Sequence, residues 1–107
     1  MTGYTKGPWV CDGPDHFNDY TIHPEGRALA IAAITNGAIN SIAGHGAEHE
    51  ANARLIAASP DLLEASERSK AIANRVYQMG DAECRRALSE IFDILAPAIA
   101  KAKGEAA

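Results

Sequence analysis

Aromatic side chains are scarce in this 107-residue chain: two Phe, one Trp and three Tyr. Large rings bury the most area per residue, so a core built mostly without them hides little apolar surface. Cysteine is scarcer still, with only Cys11 and Cys84, which excludes a disulfide-stapled scaffold and fits a reducing compartment. No apolar run reaches the roughly 18 residues of a membrane-spanning helix. The opening MTGYTKGPW has no long apolar core of the kind a signal peptide carries, so the expected compartment is the cytosol. Positive charge is in deficit. Ten Lys and Arg against 14 Asp and Glu leave a net charge of −4, the wrong sign for a general binder of phosphate backbones. There is also no P-loop, G-x-G-x-x-G, G-x-S-x-G or C-x-x-C. These absences predict no enzyme, no cofactor, no membrane partner and no direct nucleic-acid partner.

What the chain does have is alanine, 22 residues of it, within a hydrophobic fraction of 47% and a charged fraction of 22%. That balance is too apolar for a disordered tail, and the length suits one domain over residues 1–107. A core of Ala, Leu and Ile lets helices approach closely but buries little area per residue, and a small domain is already limited in what it can hide. Self-association is a common remedy, and a homo-oligomer is expected.

The first part, residues 7–43, reads as strands and turns. Pro8-Trp9-Val10-Cys11 is a short extended run before the turn cluster Asp12-Gly13-Pro14-Asp15. Asp19-Tyr20-Thr21-Ile22-His23 alternates polar and apolar, the period of a half-buried strand. Pro24-Glu25-Gly26 is a turn, and residues 27–35 (RALAIAAIT) are a third strand candidate. Asn36-Gly37 signals a hairpin leading to a weaker fourth strand over 38–42.

The second part, residues 47–103, reads as helix. Residues 47–58 (AEHEANARLIAA) hold good helix formers with acids in the first turn. Ser59-Pro60-Asp61 has the order of an N-cap followed by proline at the first helical position. Leu62, Ala65, Ser69, Ile72, Val76 and Met79 share one face. Gly80 is expected to stop that helix and Asp81 to cap the next, in which Ala87, Leu88, Ile91, Leu95, Ala98 and Ile99 form the matching stripe. Pro97 predicts a kink or break. The expected fold class is α+β: a small antiparallel sheet of three to four strands, then an antiparallel helical hairpin. The stripe Ile72-Val76-Met79 with Leu88-Ile91-Leu95 is the expected surface of self-association.

Few constellations carry chemistry. His45-Gly46-Ala47-Glu48-His49 spells H-x-x-E-H, used by one class of zinc peptidases. Gly44 and Gly46 bracket His45, which places it ahead of the helix, so a solvated helix start and no metal are expected. Cys11 and Cys84 read as buried, unreactive thiols. The basic residues of the helical half, including Arg68 and Arg75, are interspersed with acids as on an ordinary solvated face. They also suit an anion site, with Ala43-Gly44-His45-Gly46 leading into the helix of Asn52 and Arg54 as its cradle. Asp12, Asp15, Asp19 and Glu25 form an acidic stretch without Lys or Arg, which is either a solvated hairpin tip or a lure for a basic partner surface.

Residues 50–64, EANARLIAASPDLLE, resemble a motif common in small proteins of phages and prophages, whose usual form is EANARLIAAAPDLLE. Ser59 is the one departure. Gly7-Pro8-Trp9 also resembles the opening of those proteins. The resemblance implies a non-enzymatic phage accessory protein, and small proteins of that kind often counter host immunity. One form implied is a sponge that sequesters a nucleotide immune signal, such as a cyclic oligonucleotide or a cyclic ADP-ribose isomer. It would use Asn52 to read a base or ribose edge, and Arg54, Arg68 and Arg75 to neutralise phosphate. A second is a direct inhibitor of a host defence protein such as a CRISPR complex, using Asp12, Asp15, Asp19 and Glu25. A third is a structural or assembly part of the phage.

Overall fold

The computed structural model describes residues 3–17, 19–35 and 45–105, with 45–47 described by their backbone only. Three strands, β1 (Trp9–Asp12), β2 (Tyr20–Pro24) and β3 (Ala32–Ile34), form one antiparallel sheet in the order β1-β2-β3. Three helices follow: α1 (His45–Ala57), α2 (Ser59–Ala73) and α3 (Asp81–Lys103), with a single 3-10 turn, Val76–Gln78, between the last two. This is the expected α+β class. The proposed hairpin at Asn36-Gly37, the fourth strand over 38–42 and the glycine-rich cradle before His45 lie outside the described residues.

The sheet follows from side-chain alternation. Along β2, Tyr20 and Ile22 point inward while Thr21 and His23 are half-buried, as a pleated strand with one packed face requires. Among the described residues, Ile22 is the one large side chain in complete burial. It pairs with Cys11 on β1 and Ala32 on β3. The turn after β2 forms as expected, with Arg27 N–H donating to Pro24 O at 3.2 Å and Gly26 at φ +78°. β3 is much shorter than the expected 27–35. Its ladder covers only Tyr20 to Ile22 of β2, because β2 ends in Pro24, which has no N–H to extend the pairing. Residues 27–30 stay exposed as a result.

Tyr20 and Ile22 pack on Ala53 and Ala57 of α1, with Trp9, Cys11, Ile34 and Ile56 around them. Alanine at the contact lets the helix lie close to the sheet, and the core is correspondingly thin. The α1–α2 junction corrects one expectation. Ser59 does not cap α2: Ala58 stands at that position in helical conformation, and Ser59 Oγ donates back to Leu55 O at 3.4 Å. Ala58 N–H still bonds Arg54 O, and Leu62 N–H bonds Ala58 O, so the backbone needs no side-chain cap. Gly7 closes on this junction, where a Cβ would come within 2.8 Å of Pro60. The Gly-Pro-Trp segment thus rests on the proline of the helical motif.

The stripe from Leu62 to Met79 faces inward as its spacing predicts, with Ala65 and Ile72 buried and Leu62, Ser69, Val76 and Met79 half-buried. Helix α2 ends at Ala73, short of Gly80, and Gly80 rather than Asp81 caps α3, its N–H donating to Glu83 Oε1 at 3.2 Å. Pro97 sits inside α3 without breaking it. On α3 the inward residues are Ala87, Ile91, Ile94, Leu95 and Ala98, whereas Leu88 and Ile99 are exposed. The expected self-association stripe is therefore mostly used within the monomer: Ile72, Val76, Met79, Ile91 and Leu95 are all at least half-buried, and only Leu88 of that set stays outside.

Candidate functional site

A groove of about 820 Å³ runs between the sheet and the helices. Each helix supplies one face to it. Glu50, Arg54 and Ala57 come from α1, Asp61, Glu64, Ala65 and Arg68 from α2, and Ile94, Pro97, Ala98 and Lys101 from α3. All three sets follow i, i+3, i+4, i+7 spacing, so helical periodicity alone aims them together. Trp9 and Cys11 of β1 and Tyr20 of β2 close the apolar end.

Among the described residues, three cations and four carboxylates, the latter Glu50, Asp61, Glu64 and Glu105, line the groove. Arg54 donates from Nη2 to Glu50 Oε1 at 2.6 Å, one turn back on α1. Its side chain also lies against Gly104, the left-handed residue (φ +74°) that closes α3, so closely that a Cβ there would meet Arg54 Cδ at 2.7 Å. Gly104 N–H bonds Lys101 O and Glu105 N–H bonds Ala100 O, the paired bonds of a Schellman end. A guanidinium beside the C-terminus of α3 meets the negative end of its dipole. Packing and charge thus account for Arg54.

Lys101 ties three elements together, donating from Nζ to Asp61 Oδ2 and to Trp9 O, the latter at 3.1 Å. Arg68 differs from both: among the described residues it has no carboxylate within ion-pair distance. It is the one groove cation available to an incoming anion. Asn52 and Arg75, expected beside Arg54 and Arg68, do not line the groove; Asn52 is exposed on α1, and Arg75 is exposed just beyond the end of α2. The anion site read from the sequence is divided accordingly.

The acidic hairpin is also rearranged. The Asp12 carboxylate pairs with His23 Nε2, while His23 Nδ1 lies 3.0 Å from Pro24 O and 3.1 Å from Arg27 O. Acceptors at both ring nitrogens favour the imidazolium, and Asp12 first, then Pro24 O, raises the His23 pKa above its ordinary 6.5. Asp15 Oδ1 accepts from Phe17 N–H at 2.9 Å and Asp19 N–H at 3.0 Å. These backbone donors, Asp19's foremost, hold the Asp15 carboxyl below the usual range. Two of the four carboxylates therefore hold their own loop. Asp19 and Glu25 complete the set, with Glu25 exposed at the opposite end of β2.

Helix α1 starts at His45, so His45 and His49 stand one turn apart on it, contrary to the expectation that His45 precedes the helix. His49 is buried, not solvated, with its ring edge-on to Tyr20 at 5.3 Å and 68°. No group of three His, Cys, Asp or Glu suited to a metal occurs among the described residues. Burial pushes the Cys11 thiol up, away from the thiolate a nucleophile needs. Cys84 is half-buried against Val76 O and Met79 O. No helix among the described residues is long and apolar enough to cross a membrane.

A family model described as Salmonella phage P22 protein Y8K6 matches residues 1–106. The chain belongs to that phage protein family. No curated protein and no solved structure matches it. In this phage protein, Lys101, Glu50 and Trp9 are groove residues that sequence reasoning passed over. Lys101 had only its helical spacing from Ile94 and Ala98 to mark it. Trp9 was read only as part of a strand and of the Gly-Pro-Trp opening; its indole Nε1 donates to Thr5 O at 3.0 Å, which fixes the ring beside the groove.

Proposed function

We propose that this phage-family protein binds and sequesters a nucleotide-type immune signal in the groove and does not transform it, acting in the cytosol of the infected cell. The observation that supports this reading is the groove itself. An unpaired Arg68 guanidinium faces the same space as the Trp9 and Tyr20 rings. A ring and a guanidinium across one cleft suit a ligand with a heterocycle and a phosphate. The four groove carboxylates limit how much negative charge is welcome, which favours a compact signal such as a cyclic ADP-ribose isomer over a long polyanion. Arg54 then borders the ligand without being its main phosphate partner.

The test is a thermal shift across cyclic oligonucleotides and cyclic ADP-ribose isomers. Ligand at 100 times Kd stabilises the fold by about 2.7 kcal/mol, roughly a 10–20 °C rise in melting temperature for a domain of this size. Arg68→Ala abolishes the shift, whereas Asn52→Ala and Arg75→Ala leave it intact. No shift with any member of the panel rejects the reading.

The direct inhibitor of a defence protein is a second reading, supported by a different observation. Phe17 is 67% exposed at the tip of the β1–β2 hairpin, with the His16 ring 4.1 Å away and Asp15 beside it. An exposed aromatic amid acids fits docking into a basic, partly apolar surface. Phe17→Ser removes inhibition under this reading and leaves ligand-induced stabilisation unchanged.

A further inference from the structure

Helix α3 has a second apolar line besides the one it packs inward. Leu88 and Phe92 are 67% and 69% exposed and Ile99 is 44% exposed. Isolated exposed hydrophobics are ordinary, but three on one ridge are a patch. Helical spacing puts Asp81 and Arg85 on the same face at its N-terminal end, and Ala96 and Lys103 on it toward the C-terminal end. The groove takes Ile94, Pro97, Ala98 and Lys101, which lie on the opposite side of the helix. Ala96 on this face is half-buried, while Leu88, Phe92 and Ile99 stay exposed.

The order of side chains along this face points to its occupant. From Asp81 to Lys103 the steps are four, three, four, four, three and four residues, a series that reads the same in both directions about Phe92. An α3 laid antiparallel on another α3, centred on Phe92, sets Phe92 against its own copy and Leu88 against Ala96, large against small. Arg85 falls opposite Ile99, where its aliphatic stem covers the apolar side chain. At each end Asp81 meets Lys103, whose present partner is Glu105 at 4.0 Å. A parallel arrangement would instead set Asp81 against Asp81 and Lys103 against Lys103. Like charges at both ends disfavour it.

We propose that this face of α3 is a two-fold interface, occupied by a second copy of this chain packed antiparallel along Leu88, Phe92 and Ile99. Such an interface is isologous: Phe92 meets its own copy on the axis, and every pair off the axis occurs twice and so counts double. The helix has 23 residues, about 34 Å of contact length at 1.5 Å per residue. The groove stays open on the far side, so the interface does not depend on the ligand reading.

The test is sedimentation equilibrium of the full chain, with circular dichroism to confirm folding. The parent sediments at twice its 11.3 kDa at micromolar concentration. Phe92→Glu weakens dimerisation by about 100-fold, because two buried anchors are lost at once. Asp81→Lys and Lys103→Asp each weaken it, and the two together restore it, since reversing both charges recreates both end pairs. This arm leaves Phe92 in place, so it stands even if Phe92→Glu fails to fold. Arg68→Ala leaves the dimer unchanged while it removes ligand binding, which separates a failure here from a failure of the groove reading. A monomeric parent, an assembly that survives Phe92→Glu, or a double reversal no tighter than the single ones overturns the proposal.

Discussion

Replacing Lys101 with Met removes the ammonium but keeps most of the aliphatic stem, so the loss falls on two polar contacts. Lys101 Nζ donates to the Asp61 carboxylate of α2 and to Trp9 O of β1, joining the helical hairpin to the sheet. A shielded hydrogen bond to a charged group contributes about 1.5–3 kcal/mol net. Here the two side chains are 35% and 31% exposed, and water recovers part of each contact. The expected cost is about 2 kcal/mol for both bonds together. In a domain of this size that lowers the melting temperature by about 8–15 °C. Asp61→Ala breaks only one of the two contacts and costs less. The double variant Asp61→Ala with Lys101→Met shows a coupling of about 1 kcal/mol. The assays are thermal melts and urea unfolding, both followed by circular dichroism, with the m value checked for constancy. A Lys101→Met melting temperature within about 2 °C of the parent, or zero coupling in the cycle, would refute the view of Lys101 as the strut between helices and sheet.

Gly104→Ala forces a side chain into left-handed backbone and against Arg54, and costs about 1–2 kcal/mol; in an Arg54→Ala background the cost falls because the clash is gone, as paired thermal melts would show. The raised His23 pKa makes the hairpin pH-sensitive. A group whose pKa is higher in the folded than in the unfolded state adds stability that is complete below the unfolded value, the ordinary 6.5, and is lost as pH rises through the folded value. Stability of the parent therefore declines on going from mildly acidic to mildly alkaline pH, and Asp12→Asn flattens that decline; an identical pH profile in the variant contradicts the assignment. Asp15 acts with the opposite sign: its lowered pKa adds stability present at neutral pH and lost only as pH falls through the folded value, so Asp15→Ala narrows the acid limb of the same profile.

Local rules made much of the fold legible. The alternation of Tyr20, Thr21, Ile22 and His23 marked β2, and the 3–4 spacing from Leu62 to Ile72 marked the packed face of α2. The ends of elements depended on less visible causes. β3 shrinks because Pro24 stops the ladder on its partner, and Ser59 gives up its capping role because α1 and α2 run on through Ala58. On α3 the apolar arc is wider than one neighbour can cover, so a single stripe drawn through Leu88 and Ile99 mixed inward with outward residues. The site was harder to read, because its contacts join residues far apart in sequence. Arg54 meets Gly104, Asp61 meets Lys101, and Asp12 meets His23. The arginines and the glycine-rich entry to α1 suggested an anion site but not which cations were already paired. Only the three-dimensional pairing leaves Arg68 available and sets Asn52 and Arg75 aside.

Sequestration without conversion is tested most directly by following the ligand rather than the protein. The ligand from the panel with the largest thermal shift is mixed with an equal amount of protein, and the free fraction is measured by ultrafiltration. The protein is then denatured by heat, and the released ligand is quantified and weighed by mass spectrometry. The account predicts depletion of free ligand before heating, recovery of all of it with unchanged mass afterwards, and no depletion with Arg68→Ala. Ligand returned with altered mass, or never depleted by the parent protein, would contradict it.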